Sequence, residues 1–158
     1  MYNRRLLLKA CSALLAVAPL SVFAGHKGTK VKVYKSATCG CCSKWVQHLS
    51  TAGFEVDAEN VADVNHFKQA YGVPVGLYSC HTAVVESYVV EGHVPVNDII
   101  MLLDEKPAID GIAVPGMPMG SPGMESPNPE AFEVYSFKDK QAGAVFATHV
   151  PVNGVYDR

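Results

Sequence analysis

Apolar and polar positions recur with two different spacings along the chain, and these spacings predict alternating strands and helices. Segments in which apolar residues recur at every second position, or form a short continuous run, are typical of strands. These segments are 31–35, 54–58, 83–85, 88–90, 132–137 and 144–149. Segments in which apolar residues recur three or four positions apart are typical of helices. These segments are 41–52, 63–71 and 95–103.

The order of these elements predicts the fold class. Strand, helix, strand, helix, hairpin and helix follow one another, which is the thioredoxin-like arrangement: an α/β fold with a mixed central sheet flanked by helices. A Met/Pro/Gly-rich loop at 114–125 and a C-terminal hairpin come after it. In this arrangement the end of the first strand and the segment before the third strand lie at the same edge of the sheet. We therefore expect Cys80 to lie close to the cysteines that follow the first strand.

The N-terminal residues have the pattern of a secretory signal. Arg4 and Arg5 precede a mostly apolar stretch at 6–20, and small or apolar residues at 21–24 suit a signal peptidase. We expect residues 1–24 to be removed as a signal peptide, which leaves residues 25–158 as one domain. The apolar stretch is too short to span a membrane comfortably. The arginine pair also fits a twin-arginine signal, so the export route stays open.

Charge excludes one class of partner. Removal of the signal leaves ten basic and 15 acidic residues, a net charge of −5, and no basic run. Nucleic acid is therefore not an expected partner. No later segment is apolar for long enough to cross a membrane, so we expect no membrane association after the signal is cleaved.

Four cysteines remain after cleavage, and three of them lie within Cys39-Gly40-Cys41-Cys42, at the start of a predicted helix. The N-terminal end of a helix favours thiolate over thiol. Together with Cys80, these residues form a set of soft sulfur donors that suits Cu(I), zinc or an iron–sulfur cluster. The spacing of Cys39 and Cys42 also fits a C-x-x-C redox pair, so the sequence leaves a metal site and a redox site open.

The loop at 114–125 carries Met117, Met119 and Met124, separated by prolines and glycines that exclude a regular helix. Thioether sulfurs favour Cu(I), so we interpret these methionines as further donors rather than core residues. His93 lies in a turn before the third helix and is also a candidate ligand.

The remaining histidines have weaker patterns. His81 follows Cys80 directly, and strand alternation places its side chain on the opposite face unless the strand begins irregularly. His48 and His66 are interpreted as surface residues, and His149, near the C-terminus, is uninformative.

These motifs together resemble a known family. Cys39-Gly40-Cys41-Cys42, Ser79-Cys80-His81-Thr82-Ala83, Glu91-Gly92-His93-Val94-Pro95 and the methionine loop are similar to the exported CopG-type copper-resistance proteins. The resemblance covers about residues 30–150. It implies a thioredoxin-like fold, a periplasmic location and copper bound through the cysteines.

The resulting hypothesis is a periplasmic copper-resistance protein whose residues 25–158 form a thioredoxin-like copper-binding domain. The predicted Cu(I) ligands are Cys39, Cys41, Cys42 and Cys80, which could hold a cluster of several ions, with His93, Met117, Met119 and Met124 completing the site. The protein would interconvert Cu(I) and Cu(II), with copper-efflux or carrier proteins of the periplasm as partners. The sequence leaves open a thiol–disulfide oxidoreductase, a passive copper carrier and a structural zinc site, and it identifies no catalytic residue.

The new N-terminus predicts a separate Cu(II) site. Cleavage after Ala24 leaves Gly25-His26-Lys27, in which the α-amine, the next amide nitrogen and the His26 imidazole can close two fused chelate rings. Tetragonal nitrogen donors suit Cu(II) rather than Cu(I).

Overall fold

The computed structural model describes residues 25–156, so the predicted signal at 1–24 lies outside the described residues. There are three α-helices in this part of the chain: α1 (Gly40–Thr51), α2 (Val64–Ala70) and α3 (Val96–Glu105). The strands are β1 (Lys30–Lys35), β2 (Glu55–Asn60), β3 (His81–Val85), β4 (Tyr88–Glu91), β5 (Gly111–Ala113), β6 (Phe132–Lys138), β7 (Gln141–His149), β8 (Pro151–Val152) and β9 (Val155–Tyr156). A 3₁₀-helix, Val75–Leu77, precedes β3. The element types predicted from the apolar spacing are thus confirmed, with ends that differ by at most three residues.

The central sheet is mixed and has seven strands in the order β2-β1-β3-β4-β5-β6-β7. β1 runs parallel to β2 and antiparallel to β3, while β4 runs antiparallel to β3 and parallel to β5. Helices connect the parallel neighbours, as parallel strands require. The fold class, α/β with a mixed sheet, is therefore as the sequence predicts.

One core holds the helices against the sheet. Trp45 and Leu49 of α1 and Ile99 of α3 are buried against Val33 of β1 and other apolar side chains. The indole Nε1 of Trp45 donates a hydrogen bond of 2.9 Å to the carbonyl of Val94, so its polar atom is satisfied inside the core. This contact joins α1 to the turn that carries His93.

β5 is a strand that the sequence did not predict. It has only three residues, and it joins the C-terminal hairpin, β6 and β7, to the first four strands. A side chain at Gly111 would place its Cβ 2.1 Å from the carbonyl oxygen of Val89, so this strand pairs closely only because the residue is glycine. Within residues 25–156, no helix is both long and apolar enough to cross a membrane.

Candidate metal centre

Cys39 is the N-cap of α1, and its carbonyl accepts the first helical hydrogen bond from the amide of Ser43. Cys41 and Cys42 therefore lie in the first helical turn, where the unpaired amides and the helix dipole favour negative charge. Cys39 and Cys42 are joined by a disulfide, which leaves Cys41 and Cys80 as the free thiols of the described residues. All four cysteines can act as ligands together only after this disulfide is reduced.

Cys80 lies in a bend between the 3₁₀-helix and β3, at the edge of the sheet where α1 begins. Its Sγ is 3.9 Å from Sγ of Cys41, and Sγ of Cys41 is 3.5 Å from Sγ of Cys39. The four sulfur atoms of Cys39, Cys41, Cys42 and Cys80 lie within 4.8 Å of one another. The expectation that the fold brings Cys80 to the other three cysteines is confirmed.

His93 also lies against the sulfur atom of Cys80. Its Nε2 lies 2.9 Å from Sγ of Cys80, and its Nδ1 lies 2.8 Å from the carbonyl oxygen of Pro122. Because a carbonyl can only accept, Nδ1 must carry the proton, and the lone pair of Nε2 points at Cys80. Burial lowers the pKa of His93, which keeps the ring neutral and able to bind a metal. This is the tautomer and orientation that a metal-binding histidine requires.

His81 also belongs to the site, which is the exception that the sequence left open for a strand that begins irregularly. Its Nδ1 is 3.4 Å from Sγ of Cys80, and its ring packs on Trp45 with centroids 4.4 Å apart. The alternation rule fails here because β3 begins at His81, so Cys80 is outside the strand. Burial lowers the pKa of His81 well below its usual value, and repulsion from His93, whenever that ring is protonated, and from the Lys68 ammonium adds to the effect.

Metal-free Cys80 is a protonated thiol. Burial, and then the neighbouring Cys41, raise the pKa of Cys80 to about 12. A metal ion that binds here must therefore displace a proton.

The methionine loop covers the site with its backbone. A Cβ on Gly123 would lie 2.6 Å from the carbonyl oxygen of Cys41 and 3.0 Å from the amide of Trp45, so the loop lies directly on the first turns of α1. Met117 and Met119 are 51% and 40% exposed, and Met124 is half-buried. Their role as ligands stays a prediction.

A buried ion pair supports the segments that carry Cys80 and His93. Lys68 of α2 and Glu91 of β4 are 2% and 0% exposed, with Nζ and Oε1 2.5 Å apart. Glu91 also accepts hydrogen bonds from the amide of Ser79 at 2.7 Å and from the hydroxyl of Thr82 at 2.7 Å. Sequence analysis missed this pair because Lys68 occupies an ordinary position of an amphipathic helix.

Two histidines lie at the surface as expected, since His48 and His66 are exposed. His149, for which the sequence made no prediction, is mostly buried: its Nε2 is 2.7 Å from Oδ2 of Asp98, and its ring stacks on Phe132. It therefore holds the end of β7 against α3.

Fold and site together define a mixed α/β protein with four cysteines and two histidines gathered at one edge of the sheet. Residues 77–124, which include Cys80, His93 and the methionine loop, match the family described as "Protein of unknown function, DUF411". Two solved structures are similar over 77% of this chain and 98% of theirs at 42% identity, titled "Copper resistance protein copG- Form 1" and "Form 2", with TM-scores of 0.71 and 0.72. The chain belongs to the CopG-type copper-resistance family. No curated protein matches it.

Proposed function

We propose that this chain is an exported, periplasmic copper-resistance protein that binds Cu(I) through Cys39, Cys41, Cys42 and Cys80. The observation that carries the proposal is the convergence of these four sulfur atoms within 4.8 Å of one another. Soft thiolates select Cu(I), and a thiolate can bridge two ions, so four of them suit a cluster of several ions.

The fold supports this proposal. The order β2-β1-β3-β4, with α1 following β1 and α3 following β4, supports the proposal of a thioredoxin-like arrangement. In such a fold the start of the first helix is the usual position for reactive cysteines. His93 adds an imidazole donor, and Met117, Met119 and Met124 would complete or gate the site. Copper then passes to efflux or carrier proteins of the periplasm.

A redox role follows from the mixed donors. Sulfur ligands stabilise Cu(I), whereas imidazole suits Cu(II) as well, so a site with both can hold the ion in either state. Interconversion of Cu(I) and Cu(II) distinguishes this role from that of a passive carrier. Electron exchange between the copper-loaded protein and an external redox partner separates the two, since a passive carrier shows none.

Thiol–disulfide exchange is a second candidate, and the Cys39–Cys42 disulfide favours it. Sγ of Cys41 lies 3.5 Å from Sγ of Cys39, close enough for a thiolate to attack the bond. Catalytic reduction of a model disulfide by the metal-free protein would support this candidate. It leaves His93 and the methionine loop without a role.

Competition between Cu(I) and zinc tests the main proposal. Fully reduced protein is titrated at neutral pH against calibrated chelators for each metal. We expect Cu(I) to be held far more tightly than zinc, because the donors are soft. Preferential retention of zinc would identify the centre as a structural zinc site instead.

Replacement of Cys80 tests whether this residue is one of the Cu(I) ligands. Cys80→Ser removes one of the four sulfurs that lie within 4.8 Å, so the number of Cu(I) ions bound should fall. Far-UV circular dichroism should stay nearly unchanged, because Cys80 lies in a bend outside the helices and strands. Full copper loading in this variant would contradict a ligand role for Cys80.

A further inference from the structure

Lys35, the last residue of β1, is a buried lysine whose charge is not neutralised by a carboxylate. Only 7% of its surface is exposed. Its Nζ donates a hydrogen bond of 3.1 Å to the carbonyl of Ser36, and within residues 25–156 it forms no ion pair. The other buried lysine, Lys68, is paired with Glu91. Because lysines are almost never buried unless they are paired, the unpaired ammonium points to an anion that forms beside it in another state of the protein.

The Lys35 ammonium lies against the turn that leads into the cysteines. The carbonyl of Ser36, which accepts from Nζ of Lys35, also accepts from the amide of Cys39 at 3.2 Å. The ammonium and the first residue of the cysteine motif therefore meet at one oxygen atom. On the neighbouring strand Lys35 pairs directly with His81, so both side chains lie on the same face of the sheet. Burial is the main reason why the pKa of His81 is lowered, and the charge of Lys35 contributes to this effect.

The cysteines can supply the missing anion, but only when they are reduced. Cys39 and Cys42 carry no charge while they are bonded to each other. An external dithiol that reduces this bond transfers two electrons to it and becomes a disulfide itself. The two protons that the dithiol releases either bind to the two cysteine sulfurs or enter the solution. A cation beside the cysteines favours the second outcome, in which both sulfur atoms remain thiolates.

We propose that the Lys35 ammonium is the counter-charge of the cysteine centre: it lacks a partner while the Cys39–Cys42 disulfide is closed, and it stabilises the thiolates that form when the disulfide opens and Cu(I) binds. Lys35 thus makes the disulfide easier to reduce. Four thiolates that hold fewer than four Cu(I) ions keep a net negative charge, which the same ammonium offsets. This second effect rests on the proposed function, whereas the effect on the disulfide does not.

Equilibration with a dithiol redox buffer at neutral pH tests the effect on the disulfide. Lys35→Met keeps an apolar stem and removes the charge, whereas Lys35→Arg keeps the charge. We expect the equilibrium constant for reduction to fall about tenfold in Lys35→Met, equivalent to about 30 mV, and to stay near the parent value in Lys35→Arg. The matched control is Lys32→Met, because Lys32 lies on the same strand but is already paired with Asp57 and Glu59 at 2.9 and 2.8 Å.

Stability measurements separate a counter-charge from a role in packing. Removal of an unpaired buried cation should not destabilise the oxidised protein, so oxidised Lys35→Met should resist urea at least as well as the parent. Lys35→Gln serves if Lys35→Met does not fold. A role in packing alone would destabilise the oxidised and the reduced protein equally and leave the equilibrium constant for reduction unchanged. An unchanged equilibrium constant in the variant without the charge overturns the proposal.

Cu(I) affinity of the fully reduced protein tests the second effect. In competition against a calibrated Cu(I) chelator, we expect Lys35→Met to bind Cu(I) more weakly than the parent and Lys32→Met to bind it equally well. Equal affinity in Lys35→Met and the parent overturns this part of the proposal. A parent protein that binds no Cu(I) would refute the proposed function, whereas the dithiol equilibrium decides the role of Lys35 independently of copper.

Discussion

Among single residues, Glu91 joins three groups that support the site. Its carboxylate accepts from Lys68, Thr82 and the amide of Ser79, which immediately precedes Cys80. Glu91 is itself two residues before His93, so one buried group fixes the backbone on both sides of the Cys80–His93 contact. A buried ion pair adds little net stability over apolar packing, but loss of one partner leaves a buried charge unpaired.

Lys68→Met should therefore be strongly destabilising. We expect the free energy of unfolding to fall by about 3–5 kcal/mol, because Glu91 keeps its buried carboxylate without the cation. The matched control is Lys30→Met, since Lys30 and Glu55 are 83% and 65% exposed and their atoms are 4.0 Å apart. This control should change stability by less than about 1 kcal/mol.

Urea unfolding of the two variants decides the comparison. Equal effects in Lys68→Met and Lys30→Met would contradict the importance of the buried pair.

The sequence identifies some site residues and not others for physical reasons. The spacing of Cys39, Cys41 and Cys42 is a local pattern, and topology alone brings Cys80 to them. The face on which His81 lies could only be predicted conditionally, because periodicity gives no sign of where β3 begins. The sequence did not decide whether Cys39 and Cys42 form a disulfide, because the same spacing suits metal-bound thiolates.

Among the elements, the methionine loop at 114–125 and α1 depend on each other. Gly123 has φ +88° and lies on the first turns of α1, and its neighbour Pro122 accepts the hydrogen bond that orients His93. The loop therefore sets the tautomer of a candidate ligand through its backbone, whatever its methionine side chains do.

Gly123→Ala should lift the loop from the helix. The added Cβ would lie 2.6 Å from the carbonyl oxygen of Cys41, and the positive φ is strained for alanine. We expect a loss of about 1–3 kcal/mol in stability from the backbone strain, with the clash adding to it. The matched control is Gly116→Ala, which has φ +66° but no heavy atom within 4 Å of the added Cβ.

Nuclear magnetic resonance measures whether the hydrogen bond from Nδ1 of His93 to Pro122 is kept. Its Nδ1 proton should give a slowly exchanging signal in the parent and in Gly116→Ala, and should lose protection in Gly123→Ala. Retention of the signal in Gly123→Ala would show that the loop does not orient His93.

Element types were predictable wherever apolar spacing is regular, as in α1 and the β3–β4 hairpin. β5 was not predictable, because its three residues, Gly111–Ala113, are too few to show the alternation of apolar and polar positions that is typical of a strand. Its pairing depends on the close approach of Gly111 to β4, a tertiary contact.

At the scale of the whole molecule, the candidate metal centre and the first described residues lie at opposite ends of α1. The cysteines lie at its start, whereas Gly53, just beyond its end, accepts a hydrogen bond from the amide of Gly28. Twelve helical residues at about 1.5 Å each separate the two ends by about 18 Å. A Cu(II) ion at the predicted N-terminal site would therefore be bound independently of the cysteines.

His26 is oriented for that role. Its Nε2 lies 3.0 Å from Oδ1 of Asp104, so a proton on Nε2 leaves the lone pair on Nδ1. Nδ1 is the ring nitrogen next to the main chain, and it closes a chelate ring with the His26 amide and the α-amine of Gly25. A carboxylate on the other nitrogen makes the imidazole a better donor.

Protein that begins at Gly25 should bind one Cu(II) with the electron paramagnetic resonance signal of a tetragonal nitrogen site. We expect His26→Ala to abolish this signal and Asp104→Asn to weaken Cu(II) binding by about tenfold, because the outer hydrogen bond is lost. Lys27→Ala is the matched control, since its side chain offers no donor to the chelate rings and should leave the signal intact. A tetragonal signal that survives in His26→Ala but disappears in His93→Phe would place the Cu(II) at the cysteine end of α1 instead, beside Cys80.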